Sequence, residues 1–492
     1  MTSPPATNSA ATNRVLAAVE ALKRLDRDGA VALLREEVRE GPPNGERWQS
    51  IGRLAKQIGA VDIQREAARR FAATPPPTLS RLLYGWGELV ETGRSREARE
   101  QVARLAEKHR QIPQVQHFLG TQAVGEGKAE EGASHFRAAL AQKPAMIESW
   151  SALAMTKTFA PGDPDLAALE KLRSAPGLTD PMLRSRLLYT LGKAYHDCRD
   201  FGAAFEAYSE GAALRRGTET FDYDAMERQA TQALTDFTPE RMARLRPSGH
   251  SGSRAIFVNG LPRSGSTLTE TILTAHPDIA DGGEINLLRP ALIPVAGETM
   301  IGAHEFEAAM GDHPDPWGTL ARTYEGLLAE RFGPEGRIVD KTLQQSLRMG
   351  LLLHTLPDAR VLWMRRSPED TALSCFRTYF TAGVPWSWSL ADIGRVFALE
   401  DRLFAHWVKL FPERIMTVPY EELVSAPDVW IPKIADHAGV SYDRAMAQFH
   451  RQERVVRTAS AMQVREPMRT DRVGQAEAYG PLLDEFRAAY AG

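Results

Sequence analysis

Cysteine is scarce in this sequence, since only Cys198 and Cys375 occur among 492 residues. Two cysteines cannot build the disulfide framework of a secreted domain, and such scarcity is typical of a reducing compartment. No run approaches the roughly 18 apolar residues that a membrane-spanning helix needs. The first residues also lack the basic segment and apolar stretch of a secretory signal. These absences predict a cytoplasmic protein that does not span a membrane.

A surplus of positive charge is also missing, because the net charge is −3. The bulk charge therefore gives no support to a nucleic-acid-binding protein. The 12 histidines are scattered without H-x-x-x-H or C-x-x-C spacing, so no metal site and no metal requirement are predicted. The length exceeds what one hydrophobic core usually serves, which favours at least two domains.

Residues 10–235 are rich in Ala, Leu, Glu and Arg and have helical periodicity. An apolar residue followed by a small one recurs at Ile51-Gly52, Trp86-Gly87, Leu119-Gly120, Leu153-Ala154 and Leu191-Gly192. The intervals are 35, 33, 34 and 38 residues, close to the period of about 34 of the tetratricopeptide repeat. This half resembles a diverged tetratricopeptide-repeat solenoid, in which the small residue allows two helices to approach closely.

Two functions are open for these repeats. Stacked helix pairs form a concave surface that holds a peptide or protein partner. Alternatively, the helices only cover and stabilise the second half of the chain, or mediate dimerisation. The sequence shows no set of ligand-contacting residues that decides between them.

The remaining chain has a different pattern. Residues 236–254 include a cluster of Ser and Gly typical of a linker. Residues 255–492 then alternate short apolar strands with helices, which predicts an α/β domain with a parallel sheet. The predicted fold is thus an all-α solenoid followed by an α/β domain of the P-loop-like kind.

A glycine-containing loop opens the second domain. A short apolar strand at 255–258 leads into Gly260-Leu-Pro-Arg-Ser-Gly-Ser-Thr267, and an apolar helix follows from Leu268. A strand, a loop and a helix in this order form an anion site from converging backbone N–H groups. The loop matches G-x-x-x-x-G-K-[ST] except that Ser266 replaces the lysine. Because that lysine reaches the β- and γ-phosphates, an ATP or GTP hydrolase is disfavoured.

The loop from Pro262 to Thr267 resembles the 5′-phosphosulfate loop of sulfotransferases that use PAPS (3′-phosphoadenosine 5′-phosphosulfate). The stretches Ala275-His-Pro-Asp278 and Gly282-Gly-Glu284 resemble the tyrosylprotein sulfotransferase branch, and bacterial members with tetratricopeptide repeats resemble the whole chain. The resemblance implies a donor site, with PAP as the desulfated product. Its residues would be Arg263, Ser264, Gly265, Ser266 and Thr267 at the 5′-phosphosulfate, and Arg366 and Ser374 at the 3′-phosphate.

The resemblance also implies two further catalytic residues beside Arg263. Glu284 corresponds to the base that deprotonates the acceptor hydroxyl. Lys341 ends the predicted strand Arg337-Ile-Val-Asp-Lys341 and corresponds to the lysine that stabilises the leaving oxygen. A surface Glu in a loop, and a solvated Lys paired with Asp340, are the alternatives without function.

Three more nucleotide contacts follow from the resemblance. Tyr420 lies in an element similar to the family's Tyr-Glu-x-Leu segment, and Ser460 and Arg465 lie in a stretch similar to its final nucleotide loop. Glu466 departs from the family pattern, because a basic residue is expected near it in the tyrosylprotein branch. Arg465 alone would then supply that charge.

The predicted function is sulfuryl transfer from PAPS to a hydroxyl acceptor. The acceptor stays open between a protein tyrosine, a saccharide, a lipid and a small phenol. Two other functions remain to be separated from this one: a P-loop kinase or NTPase, and a repeat scaffold with a degenerate nucleotide domain.

Overall fold

The computed structural model describes residues 7–41, 45–452 and 465–492. Its first part consists of helices only. They are α1 (Thr7–Lys23), α2 (Arg27–Glu40), α3 (Gly45–Gln57), α4 (Val61–Ala72), α5 (Leu79–Glu91), α6 (Ser95–Ala103), α7 (Glu107–Arg110), α8 (Pro113–Gly125), α9 (Ala129–Gln142), α10 (Ile147–Ala154), α11 (Pro164–Arg173), α12 (Pro181–Asp197), α13 (Phe201–Arg216), α14 (Tyr223–Asp236) and α15 (Pro239–Met242).

Neighbouring helices in this part pack as antiparallel pairs, among them α8 with α9 and α12 with α13. Glycine allows the close approach in both pairs. A methyl group on Gly120 would lie 2.6 Å from the Phe136 ring, and one on Gly192 would lie 2.5 Å from the Tyr208 ring. Both glycines were predicted to serve this purpose.

The same expectation is wrong at Gly87. A methyl group there would meet nothing within 4 Å, whereas one on Gly85 would lie 3.0 Å from Cβ of Ala72 in α4. Two helical positions separate the glycines by about 200°, so only one of them faces the neighbouring helix. Gly85 is the residue that allows α4 and α5 to approach.

Among its described residues, the second part contains five strands, β1 (Ala255–Asn259), β2 (Ile279–Asp281), β3 (Arg337–Asp340), β4 (Arg360–Arg365) and β5 (Ile415–Pro419). Its helices are α16 (Ser266–Leu273), α17 (Leu288–Ala291), α18 (Met300–Met310), α19 (Pro316–Phe332), α20 (Met349–Thr355), α21 (Pro368–Phe376), α22 (Leu390–Leu410), α23 (Tyr420–Ser425), α24 (Pro427–Ala438), α25 (Arg444–Ala447) and α26 (Asp484–Ala491). Short 3₁₀ turns occupy Ala296–Glu298, Gln345–Arg348, Pro385–Trp388, Phe449–Arg451 and Gln475–Leu483.

The strands form one sheet in the order β2-β3-β1-β4-β5, and every pairing is parallel. The predicted parallel sheet is thus confirmed, and the glycine loop leaves its central strand, β1. Residues 255–259 are all buried, as expected for a strand covered by helices on both faces. The strand β2 was not predicted, because three residues carry too little pattern.

Because the strands are parallel, the segments that follow them meet at one edge of the sheet. Residues 260–265 follow β1, residues 282–284 follow β2, and Lys341 follows β3. Arg366 follows β4, and Tyr420 begins the helix after β5. Sequence positions as far apart as 160 residues thereby come to the same edge.

The helix α14 packs with the α/β part, although the sequence grouped it with the repeats. Ala230, Ala233 and Phe237 belong to the hydrophobic core that also contains Trp407 of α22. The Phe237 and Trp407 rings lie edge to face with centroids 5.7 Å apart. The boundaries predicted at 235 and 254 stay predictions.

The predicted linker lies along the surface of the α/β part, bonded to it at several points. Ser248 donates to the Thr355 carbonyl at 2.9 Å, and the Gly252 amide donates to Asp358 at 2.7 Å. The segment therefore fixes the two parts to each other.

Aromatic side chains of α12 and α13 join the two parts. Tyr189 lies edge to face with Tyr379 and Trp388, at centroid distances of 5.5 and 5.8 Å. The Arg215 guanidinium lies 4.8 Å from the Trp388 ring centroid, a favourable cation–π distance. The helical part thus packs on the segment after α21. Within the described ranges, no helix has the length and apolar character that crossing a bilayer demands.

Replacing Gly192 by Ala tests the close approach of α12 and α13. The added methyl group would overlap Tyr208, so we expect Gly192→Ala to destabilise the protein by about 1–3 kcal/mol. Gly87→Ala is the matched control, since it adds the same group to an open helix surface and should stabilise by up to about 1 kcal/mol. Thermal unfolding followed by circular dichroism measures both, and equal effects would contradict the packing described here.

Candidate functional site

The loop after β1 is shaped by residues with positive φ. Gly260 and Gly265 have φ of 138° and 101°, and Arg263 between them has φ of 69°. A Cβ at Gly265 would lie 2.6 Å from the Tyr420 ring, so the loop backbone runs directly against α23. The loop ends at Ser266, the first residue of α16, where backbone N–H groups favour an anion.

A buried polar chain supports this loop from below. Asn259 is the last residue of β1. Its side chain accepts from the backbone N–H of Gln345 at 3.2 Å and donates to Ser346 Oγ at 3.4 Å. Ser346 in turn donates to Glu400 at 2.7 Å. Burial raises the pKa of the Glu400 carboxyl to about 7, although the bond from Ser346 opposes this. The chain fixes the loop's start to α22.

Lys341 is buried at the end of β3, with 1% of its side chain exposed. Its Nζ lies 2.8 Å from Oε1 of Glu284 and 4.0 Å from Oε2 of Glu270. Burial alone would lower the Lys341 pKa, but the two carboxylates outweigh it and raise the pKa. The ammonium group is therefore charged at neutral pH.

The contacts of Glu284 and Lys341 differ from those of an isolated surface Glu and of a Lys paired with Asp340. Asp340 does not pair with Lys341, because it accepts from Tyr324 at 2.7 Å and from the Thr342 amide at 3.0 Å. The Glu284 side chain is 57% exposed, so one of its faces is open to an incoming molecule while the other contacts Lys341. Glu284 is thus neither an isolated surface carboxylate nor a buried one.

Four arginines concentrate positive charge beside the loop. Burial and the charge of Arg377 lower the pKa of Arg263 to about 10, and Arg366 and Arg472 contribute in the same direction. Like charges brought together in this way repel one another unless an anion lies between them. The cluster therefore has the electrostatics of a site for a multiply charged anion.

The predicted 3′-phosphate pair, Arg366 and Ser374, is part of this cluster. Arg263 donates through Nε to Ser374 Oγ at 3.0 Å. Arg366 donates to the carbonyls of Arg263 at 3.2 Å and Arg472 at 2.6 Å, and lies 4.7 Å from the Tyr420 ring centroid. The two residues predicted as a pair are therefore joined through Arg263.

One cavity collects most of the predicted site. The predicted residues that line it are Arg263, Gly265, Ser266, Thr267, Glu284, Lys341, Arg366 and Tyr420. Ser264 is buried and does not line this cavity. Residues not singled out in the sequence line it as well, namely Leu343, Phe449, Arg469 and Arg472.

The segment predicted as the final nucleotide loop differs from the other predicted segments in its position relative to this cavity. Arg465 donates to the Gly125 carbonyl of the helical part at 2.5 Å and does not line the cavity. Arg469 and Arg472 of the same segment do line it. Ser460 lies outside the described residues, so the roles of Ser460 and Arg465 stay predictions.

Arg377 is held in place by the helical part. Its Nη1 donates to Nε2 of His196 in α12 at 3.1 Å, and its Nη2 donates to Gln475 at 2.8 Å. Burial and Arg377 itself lower the pKa of His196 to about 4, so the imidazole is neutral and can accept this bond. Arg377 follows Ser374 by three residues, a spacing that places two helical residues on one face, so the sequence could have indicated it. No such spacing indicated Glu270 or Arg472.

Comparison with known proteins concerns mainly the second part of the chain. Residues 255–444, which contain the parallel sheet, match the model of a family described as the sulfotransferase family. An uncharacterized protein of Aquifex aeolicus (strain VF5) is 27% identical over 319 residues, 62% of this chain and 41% of that protein. A protein-tyrosine sulfotransferase of Drosophila melanogaster is 26% identical over 196 residues, 39% of each chain.

The chain therefore covers about two fifths of the length of both relatives. Among solved structures, the sulfotransferase domain from the Synechococcus PCC 7002 olefin synthase is 18% identical with a TM-score of 0.35, covering 50% of this chain and 98% of that one.

Glu400 gives the site a pH-dependent stability. Its folded pKa of about 7 exceeds the ordinary 4.5, so the folded state holds a proton that the unfolded state releases. Stability therefore falls as pH rises from about 4.5 to 7 and is constant above. Glu400→Gln keeps the acceptor for Ser346 without the charge, and should raise the Tm at pH 8.5 by about 2–6 °C, with little change at pH 4.5.

Differential scanning calorimetry at the two pH values measures this. The exposed Glu335→Gln is the control and should leave the Tm unchanged at both. A Glu400→Gln protein that is less stable than the parent at pH 8.5 would mean that the charged carboxylate stabilises the fold.

Proposed function

We propose that this protein transfers the sulfuryl group of PAPS to a hydroxyl acceptor. The main support is the juxtaposition of Lys341 and Glu284, a buried ammonium and a half-exposed carboxylate 2.8 Å apart. They line the same cavity as a phosphate-type loop that has Ser266 where an NTPase has lysine. The family model matched by residues 255–444 supports the same reaction.

In this proposal, the loop and the start of α16 bind the 5′-phosphosulfate through Arg263, Ser264, Gly265, Ser266 and Thr267. Arg366 and Ser374 bind the 3′-phosphate, with Ser374 also orienting Arg263 through the 3.0 Å bond. Tyr420 lies against both Gly265 and Arg366 and borders the nucleotide. Guanidinium groups suit this task, since they present a planar set of donors to phosphate oxygens.

The proposed reaction is an in-line displacement at sulfur. The acceptor oxygen bonds to sulfur, the bond from sulfur to the 5′-phosphate oxygen breaks, and PAP leaves with the electron pair. Glu284 takes the acceptor proton, and Lys341 stabilises the negative charge that grows on the departing oxygen. Since the Lys341 pKa is raised, its positive charge is in place before the reaction.

We also propose that the acceptor is a tyrosine in a polypeptide. The support is the description of the Drosophila melanogaster relative as a protein-tyrosine sulfotransferase. The antiparallel helix pairs of the first part would form a diverged tetratricopeptide-type solenoid that presents this polypeptide. Saccharide, lipid and small phenolic acceptors are the competing classes.

Binding of PAP tests the donor assignment. We expect PAP to bind with micromolar affinity without added metal, and ATP and ADP to bind far more weakly. Arg366→Ala should weaken PAP binding by about tenfold or more, since a charged hydrogen-bond donor is lost. Isothermal titration calorimetry measures both, with Arg360→Ala, an exposed arginine at the other end of β4, as control. A preference for ATP with Mg²⁺ would instead indicate a kinase or NTPase.

Removing the proposed base should affect turnover without affecting donor binding. We expect Glu284→Gln to lower kcat by about 10²–10⁴-fold, while PAP affinity changes little because the carboxylate faces the acceptor. PAP release from PAPS, measured with pooled tyrosine peptides and with p-nitrophenol, gives the rate. Glu305→Gln in α18 is the surface control. Full turnover by Glu284→Gln would show that another group accepts the proton.

A further inference from the structure

A groove of about 750 Å³ separates the first helices from the α/β part. One side comes from the first helical hairpins, through Leu22, Leu25, Gln57 and Ile58. The other side comes from the α/β part, where α14, the segment after β2 and the 3₁₀ turn after β3 line the groove. Its volume is typical of a ligand site.

The groove starts beside the candidate catalytic pair. Asn286 lines it two residues after Glu284, which lines the cavity. Leu347 lines it four residues after Leu343, which again lines the cavity. The Asn286 backbone N–H donates to Thr342 Oγ1 at 2.7 Å, which joins these two segments. Each segment therefore borders both the groove and the cavity that Glu284 lines.

The groove walls combine apolar surface with side-chain amides. Leu25 is 38% exposed there, and Gln57, Gln229, Gln232 and Asn286 line both sides. Each amide side chain offers a donor and an acceptor, which matches the alternating N–H and C=O groups of an extended polypeptide. A compact phenol would contact only the part nearest Glu284.

Charge at the groove also suits a polypeptide with polar side chains. Glu298 lies 2.9 Å from Arg348 and 3.5 Å from Arg289, so two cations share one carboxylate. The Arg289 side chain is 66% exposed and can pair with an anionic group on a bound chain.

Backbone strain is concentrated on the same walls. Among the described residues, six that are not glycine have positive φ, and Leu25, Asn286 and Glu298 are three of them, at 63°, 47° and 55°. Such residues persist where the surrounding structure holds them, and they cluster at functional sites. At Leu25 the conformation closes the C-terminal turn of α1, where the Asp26 N–H donates to the Ala21 carbonyl at 2.9 Å.

We propose that this groove binds the polypeptide segment adjoining the acceptor hydroxyl, so that the helical part selects the acceptor. The proposal rests on the proposed sulfuryl transfer and adds to it the surface that recognises the substrate. Specificity then comes from residues of both parts, and the catalytic pair lies at the groove's end.

Filling the groove tests this. The full-length protein is assayed with a pool of tyrosine-centred 11-residue peptides and, separately, with N-acetyltyrosine amide, using PAPS as donor. We expect Gln229→Trp and Leu25→Trp to lower kcat/KM for the pool by about tenfold or more, through a higher KM. The value for N-acetyltyrosine amide should change less than about twofold.

Thr231→Trp on another face of α14 and Leu16→Trp on α1 are the matched controls. Leu16 is 59% exposed and neither residue lines the groove, so both should behave as the parent. PAP affinity and Tm, measured for every variant, separate a blocked groove from a misfolded protein.

Three results would overturn the proposal: an unchanged pool value in the groove variants, an equal loss in the controls, or PAP binding without sulfation of any pooled peptide. The last result would leave the donor assignment intact. Absence of PAP binding by the parent protein would overturn the proposed sulfuryl transfer, and the groove assignment with it.

Discussion

The charge of Lys341 must be balanced inside the protein, because its ammonium group is almost fully withdrawn from water. An uncompensated buried charge costs several kcal/mol, so carboxylates have to be brought to it from elsewhere in the chain. Glu284 comes from the segment after β2 and Glu270 from α16. Strand order β2-β3-β1 places these two segments on either side of Lys341. The sheet topology thus brings both carboxylates to the buried ammonium group.

The arginine cluster imposes a second constraint, since burial and the charges of Arg377, Arg366 and Arg472 lower the pKa of Arg263. Fixed partners hold the guanidinium groups in position. One of them is His196 of the helical part, which accepts from Arg377, and Tyr479 lies 2.9 Å from the other nitrogen of that imidazole. The helical part therefore contacts the arginine cluster as well as lining the groove.

The proposed donor site and the proposed acceptor groove occupy different parts of the molecule. The loop after β1 and the arginines belong to the proposed donor side, with Glu284 and Lys341 at its margin. The groove extends from that margin between the two parts. Because one segment, residues 282–286, borders both, the proposed catalytic carboxylate lies where donor and acceptor would meet.

The sequence by itself determined the local features. A strand, a glycine loop and a helix in succession predicted an anion-binding loop, and the strand beginning at Arg337 and the parallel sheet followed from short-range patterns. The tertiary structure decided what long-range packing controls. Gly85, and not Gly87, lies at the contact between α4 and α5. Lys341 pairs with Glu284 and Glu270 instead of Asp340. The tertiary structure also placed Arg465 against Gly125 while Arg472 borders the cavity. Spacing along the chain fixes which residues share a turn or a strand end. The partner of a charged side chain, and the room for a methyl group beside a glycine, depend on elements that are distant in sequence.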